Sequence, residues 1–163
     1  MDEEAIANLN AYAARNQLEL IASPGSGIHG IVFFVAGNTE LGTAAIKAFF
    51  SREVYLRELS IYQRLQELGI TEILGFDVPQ LLGWDDELMV LKITLVSPPF
   101  VLDFAGAWLD WPPSFSEEIW EERTAKWASE FGEDWAKAQA ILAELEELHI
   151  YMLDPSPANI RFR

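Results

Sequence analysis

Two stretches of the sequence indicate the fold most directly: Gly25-Ser26-Gly27-Ile28-His29-Gly30-Ile31-Val32 and, further along the chain, Ala45-Ile46-Lys47. Three glycines spaced as G-x-G-x-x-G let backbone N–H groups approach an anion without side chains in the way. A dinucleotide-binding fold requires a helix directly after the third glycine. Here the β-branched and aromatic run Ile31–Val35 follows, which is typical of a strand. The pattern predicts a glycine hairpin that lies over phosphate groups, and a Gly-rich turn without a ligand is the alternative.

Lys47 lies within an apolar run, where a buried ammonium group needs a partner. The segment that follows, residues 52–68, has helical periodicity with an apolar stripe. Glu58 falls on that stripe, between Tyr55 and Tyr62, and an acid on a buried face needs a cation. We therefore expect Glu58 to pair with Lys47. The alternative is an edge-strand lysine whose ammonium group reaches solvent.

The order of the remaining elements predicts an α+β fold. Before residue 97 the chain reads as a short helix, a three-stranded meander, the helix just described and two further strands. Ser97-Pro98-Pro99 can continue neither a helix nor a central strand. We place a lobe boundary there, with a β-rich lobe over residues 1–96 and a reduced helical lobe over residues 97–163. Helices are predicted over residues 116–131 and 134–149.

The chain ends in a second pattern of polar residues, Asp154 and Asn159 within Met152–Ile160. An aspartate at such a position can orient a substrate hydroxyl or accept its proton, and an amide oxygen five residues on can bind Mg²⁺. The alternative is a turn in which both side chains cap backbone groups.

A further glycine spacing, Gly37–Gly42, is rejected as a phosphate loop because Thr43 stands where lysine is required.

Together these segments resemble the protein-kinase-like superfamily, which includes eukaryotic-like Ser/Thr kinases and small-molecule kinases. Gly25–Val32 matches the kinase pattern G-x-G-x-x-G-x-V at every fixed position, Ala45-Ile46-Lys47 looks like the V-A-I-K strand, and Asp154–Asn159 looks like the catalytic loop. The resemblance implies a kinase-like lobe of antiparallel sheet plus one helix, with ATP and Mg²⁺ as cofactors. It also implies residue roles: nucleotide binding by Gly25, Gly27, Gly30, Lys47 and Glu58, catalysis by Asp154, and metal binding by Asn159.

The sequence departs from the kinase pattern after the segment that resembles the catalytic loop. The chain ends at Arg163 without an Asp-Phe-Gly triplet after Asn159. A similar stretch, Asp103-Phe104-Ala105-Gly106, precedes the loop, and we expect the topology to leave it unused. The resemblance thus implies a truncated kinase-like protein that binds ATP with impaired or absent phosphotransfer, as a pseudokinase or regulator. The alternatives are an active phosphotransferase on a protein or small-molecule hydroxyl, and a protein-interaction module without nucleotide.

Composition narrows the class of partner. Of 163 residues, 26 are acidic and 11 basic, so the net charge of −15 disfavours nucleic acid and anionic membranes as partners. The chain has no cysteine, which excludes disulfides and thiolate zinc sites and is compatible with a reducing cytosol. The sequence shows neither a signal peptide nor a membrane span, so we expect a cytoplasmic protein.

Tryptophan is concentrated in the acidic second half of the chain. Five of the six tryptophans are Trp108, Trp111, Trp120, Trp127 and Trp135. They predict either helix packing or an aromatic surface for a protein partner.

Overall fold

The computed structural model describes residues 2–37 and 43–163, so most of Gly37–Gly42 lies outside the described residues. The described chain forms, in order, α1 (Asp2–Arg15), β1 (Glu19–Ser26), β2 (Gly30–Ala36), β3 (Ala44–Phe49), α2 (Arg52–Glu67), β4 (Glu72–Ile73), β5 (Phe76–Asp77), β6 (Leu81–Asp85), β7 (Val90–Thr94), β8 (Phe100–Val101), β9 (Ala107–Leu109), α3 (Glu117–Phe131), α4 (Trp135–Glu147), β10 (Ile150–Met152) and β11 (Ile160–Arg161). The predicted α+β class and antiparallel sheet are confirmed.

The main sheet has five antiparallel strands in the order β1-β2-β3-β7-β6. Its central strand, β3, is buried along almost its whole length, and its alanines leave room for α1 to pack on one face. Leu9 and Tyr12 of α1 share a hydrophobic cluster with Val35 and Ile46 of the sheet. This packing fixes the strand that carries Lys47.

Helix α2 follows β3 directly and buries the predicted stripe. Its buried residues are Tyr55, Glu58, Leu59, Ile61, Tyr62 and Leu65. The helix ends at Glu67 with Leu68 as its C-cap, and Gly69 continues the chain with a φ of 66°, a left-handed conformation that glycine adopts without strain. The stripe packs on residues from the second half of the chain, including Phe104, Ile141 and Ile150, so one hydrophobic core continues across Ser97-Pro98-Pro99.

The second half contains both predicted helices, α3 and α4, but also short strands that the sequence analysis did not predict. Strand β8 pairs antiparallel with β11, and β9 pairs antiparallel with β10. The C-terminal segment Tyr151–Arg163 therefore contributes to two strand pairs. These pairs place the loop over residues 102–106 beside the loop over residues 153–159.

The tryptophans of the second half mostly serve packing. Trp127 is buried, and Trp120 and Trp135 pack against the same core. The ring of Trp108 lies 4.8 Å from the guanidinium carbon of Arg57. Trp111 differs from these four, because 84% of its surface is exposed.

None of the helices in the described part of the chain combines the length and apolar character that crossing a membrane requires.

Candidate functional site

The glycine hairpin between β1 and β2 forms one wall of the site. The N–H of Gly27 donates to the carbonyl of Gly30 at 2.9 Å, which closes the turn. A Cβ on Gly30 would overlap the carbonyl oxygen of Ala48 on β3, so this glycine is required by strand packing. Nothing lies within 4 Å of a Cβ placed on Gly25 or Gly27. The space over these two glycines is open, as a bound ligand would need.

A buried ion-pair cluster lies beneath the hairpin. The Nζ of Lys47 donates to Glu58 Oε2 at 2.8 Å and to Asp103 Oδ1 at 3.0 Å. The side chain of Lys47 is 11% exposed and that of Glu58 only 1%. The pair predicted between Lys47 and Glu58 is therefore present, and Asp103 is a second acid on the same lysine.

The two carboxylates keep Lys47 charged. Burial alone lowers the pKa of the lysine, but the charges of Glu58 and Asp103 outweigh it, and the net pKa is raised. Burial opposes ionisation of Asp103 as well, yet the ammonium of Lys47 and the backbone N–H of Ala105 hold the pKa of this carboxyl below its usual value. Burial raises the pKa of Glu58 despite its contact with Lys47. Asp103 is therefore the more firmly ionised of the two acids.

The cluster forms the back of a cleft of about 640 Å³. Most of the lining is apolar and suits a flat heterocycle, with Val32, Ala45, Ile93, Phe100 and Leu102 among the lining residues. The lining also contains the glycines of the hairpin, Lys47 and Asp103. A ligand that combines an apolar ring with an anionic group matches this mixture.

Asp154 and Asn159 line a smaller cavity of about 100 Å³ next to the cleft. The two cavities share Ile28, His29 and Asp103 as lining residues. Asp154 is exposed, so its carboxylate is accessible to a second molecule. Arg123 holds the residue before Asp154 in place, because its guanidinium donates to the carbonyl of Leu153 at 2.8 Å. The structure thus brings all seven sequence-predicted site residues to two adjoining cavities.

The expectation that the topology leaves Asp103 unused is wrong. Although Asp103-Phe104-Ala105-Gly106 precedes the Asp154 loop in the chain, the two strand pairs β8–β11 and β9–β10 lay the segments side by side. A Cβ on Gly106 would lie 3.8 Å from the Cβ of Asp154. The likeness of this stretch to Asp-Phe-Gly is the signal in the sequence, and chain order alone does not determine which segments the fold brings together.

His29 and Tyr62 are two further site residues that the sequence analysis did not assign. His29 lies at the hairpin tip, where burial and then the charge of Lys47 lower the pKa of its imidazole, so it is neutral at pH 7. Tyr62 lines the back of the cleft, and its buried hydroxyl has no hydrogen-bond partner among the described residues. Its place on the α2 stripe, one turn from Glu58, was the clue in the sequence.

No protein-family model matches the chain, and no curated protein matches it either.

Proposed function

We propose that this protein is kinase-like and binds ATP in the cleft beneath the glycine hairpin. The observation that carries the proposal is the buried Lys47, held by Glu58 and Asp103 on the wall of a cleft whose lining is mostly apolar. Burying the charged side chains of Lys47 and Glu58 is costly unless they are paired and hydrogen-bonded, and core packing alone does not require them. A site for an anionic ligand explains why they are placed at the wall of a cleft.

The roles of the residues follow from their positions. The apolar lining would receive the adenine ring, the open space over Gly25 and Gly27 would receive phosphates, and Lys47 would contact them as a point charge. Glu58 orients the lysine, while Gly30 acts through the strand packing that shapes the hairpin. Asn159 would hold Mg²⁺, and that ion when bound neutralises charge on the phosphates.

Phosphotransfer to a hydroxyl is the second candidate function. It is favoured by the exposed carboxylate of Asp154, in a cavity that adjoins the cleft through His29 and Asp103. A substrate hydroxyl placed there would donate its proton toward Asp154 while its oxygen bonds to the γ-phosphorus of ATP, the bond to the bridging oxygen breaks, and ADP remains in the cleft. A protein that binds ATP without turnover would instead act as a regulator, as the kinase resemblance implies.

The test is stabilisation of the full chain by Mg²⁺ and ATP. A ligand at about 100 times its Kd raises the free energy of unfolding by about 2.7 kcal/mol, which is easily measured as a shift in Tm. The test variant combines Lys47→Met with Glu58→Gln, so that the fully buried acid Glu58 is not left charged without its cation. The matched control is Lys92→Met, because Lys92 lies on the neighbouring strand β7 and lines neither cavity.

We expect wild type and Lys92→Met to be stabilised by ATP and the double variant not to be. Equal stabilisation of all three proteins would contradict the assigned site, and no stabilisation of any of them would contradict nucleotide binding. Conversion of ATP to ADP, lost in Asp154→Asn while ATP binding persists, would distinguish phosphotransfer from binding alone.

A further inference from the structure

Trp111 presents its side chain to solvent from a firmly held turn over residues 109–111, here called the Trp111 turn. The N–H of Asp110 donates to the carbonyl of His149 at 2.8 Å, and the N–H of Trp111 donates to the carbonyl of Leu109 at 2.7 Å. With 84% of its surface exposed, the indole takes no part in the core. The fold therefore fixes the turn without using the ring that the turn carries.

The Trp111 turn lies where two helices end. Arg64, near the end of α2, donates to both carboxylate oxygens of Asp110 at 3.0 and 3.1 Å and to the carbonyl of Leu148 at 3.2 Å. Helix α2 ends at Glu67 and α4 ends at Glu147, so these contacts bring both carbonyl ends to the turn. The carbonyl end of a helix carries a partial negative charge that attracts cations.

The acids at these helix ends are exposed and add to the negative charge. They are Glu67, Glu146 and Glu147. None of the three forms an ion pair within the described part of the chain. Trp84, which is 45% exposed, shows the contrast, because the acid beside it, Asp85, pairs with Arg15 at 3.0 Å. An exposed indole close to unpaired carboxylates therefore distinguishes the Trp111 turn.

This combination suits a partner of particular chemistry. The guanidinium of an arginine is planar, so it stacks on an aromatic face while its N–H groups donate to carboxylates. The same stacking occurs within this chain, where the guanidinium carbon of Arg57 lies 4.8 Å from the ring of Trp108. A second copy of the chain would bring a further net charge of −15 to an acidic surface and be repelled. An arginine-rich segment of another protein complements both the ring and the charge.

We propose that the Trp111 turn, together with the acidic ends of α2 and α4, is a docking surface for an arginine-rich segment of a partner protein. Tryptophan and arginine are enriched among the residues that dominate the binding energy of protein interfaces. The carboxylates select the sign of the partner's charge and speed its approach. The turn lines neither cavity, so this inference goes beyond the proposed ATP site and is independent of it.

The experiment measures the binding of fluorescently labelled hexa-arginine to the full chain by anisotropy, at about 0.15 M KCl so that long-range attraction is screened. The test variant is Trp111→Ala, which removes an exposed side chain and leaves the net charge unchanged. Trp84→Ala is the matched control, because Trp84 is also exposed and also has acidic neighbours in the chain. Hexalysine and hexaglutamate serve as further probes.

A second pair of variants tests the carboxylates at constant net charge. Glu146→Gln with Glu147→Gln removes two acids at the end of α4, and Glu118→Gln with Glu122→Gln removes two exposed acids of α3. The first double variant should bind hexa-arginine more weakly than the second. These variants also keep the test valid if Trp111→Ala does not fold.

We expect Trp111→Ala to lower the affinity for hexa-arginine about fivefold or more, as the loss of one cation–π contact partly shielded from water would do. Trp84→Ala should stay within about twofold of wild type. Trp111→Phe, which keeps an aromatic ring, should restore part of the affinity. Wild type should bind hexalysine more weakly than hexa-arginine, because a guanidinium stacks on the ring and an ammonium group does not, and it should not bind hexaglutamate.

Unchanged affinity in Trp111→Ala overturns the inference, and so does an equal loss in Trp84→Ala or equal binding by the two double variants. Hexalysine bound as tightly as hexa-arginine, or no binding of hexa-arginine by wild type, also overturns it. A wild-type dimer that dissociates in Trp111→Ala, measured by sedimentation equilibrium, would make a second copy the occupant and overturn the proposed partner. ATP affinity should be the same in all these variants, so none of these outcomes decides the proposed function.

Discussion

At the scale of single residues, the glycines of the hairpin have different tasks, and alanine substitution separates them. Gly30→Ala should destabilise the protein strongly, by roughly 2 kcal/mol or more, because its Cβ would overlap backbone of β3 and force the strands apart. Gly27→Ala should leave the free energy of unfolding nearly unchanged but weaken ATP binding, because its Cβ would occupy open cleft. Urea unfolding and ATP-induced Tm shifts measure the two effects.

A fully folded Gly30→Ala protein of wild-type stability would contradict the described strand packing. If Gly27→Ala bound ATP as tightly as wild type, the phosphates would not lie over this glycine. Gly69→Ala is a control for glycine replacement remote from the cleft, and it should lose stability through its positive φ without changing ATP affinity.

The acid Asp103 should stabilise the fold in a pH-dependent way. Because its pKa in the folded protein lies below its ordinary value of 3.8, the ionised carboxylate contributes stability that is fully present above that value. This stability is lost as the pH falls through the folded-state pKa. The difference in free energy of unfolding between wild type and Asp103→Asn should therefore be constant between pH 6 and 8 and shrink toward zero in acid.

For this comparison both proteins carry Glu58→Gln, because the charge of Asp103 contributes to the raised pKa of Glu58 and the titration of Glu58 would otherwise differ between them. Urea unfolding followed by far-UV circular dichroism supplies the free energies. A difference that grows as the pH falls would show that protonated Asp103 is the stabilising form, contrary to the Lys47 contact.

At the scale of elements, the short 3₁₀ turn Phe104–Gly106 is held against α2 by one side chain. Phe104 is fully buried, and its ring meets Tyr62 edge-on at 5.5 Å. Phe104→Ala should cost about 3–5 kcal/mol of stability and loosen the position of Asp103. Phe104→Leu, which keeps most of the volume, should cost much less. Equal stability of the two variants, measured by urea unfolding, would show that this packing does not hold the turn.

The sequence predicts the long elements of this fold and not the short ones. The run Ile31–Val35 and the stripe of α2 each repeat a pattern often enough to identify a strand and a helix. Strands β8 to β11 have two or three residues each, too few for any alternation to show, and they form only because distant partners meet them. Their pairing is a property of tertiary packing.

The same limit explains which site residues the sequence identified. Lys47 lies in a continuous apolar run and Glu58 lies on the periodic buried face of α2, so their contact could be expected. Asp103 reaches Lys47 from 56 residues away through a turn bracketed by β8 and β9. No local pattern fixes that approach, and the kinase order of motifs pointed away from it.

At the scale of the whole molecule, the sheet and the helical half should unfold together. One hydrophobic cluster includes Phe49 and Leu65 from the first half of the chain and Trp127 and Ile150 from the second. A shared core predicts a single cooperative transition. Urea curves from tryptophan fluorescence, which reports mainly on residues 108–135, and from far-UV circular dichroism should coincide. Two separated midpoints would mean that the halves are independently stable.

The net charge of −15 should make the stability of the whole molecule rise with salt. Repulsion among 26 acidic residues opposes the compact state, and raising the ionic strength from about 0.01 to 0.15 M shortens the screening length from about 30 to 8 Å. Salt also weakens attractive pairs such as Arg15–Asp85, but this pair is largely exposed, and such pairs contribute little. Screening of the repulsion among acidic residues should therefore outweigh screening of the attractive pairs, and KCl should raise the Tm. Sucrose at equal osmolality controls for solute exclusion, and a Tm that falls with KCl would mean that attractive pairs outweigh the net charge.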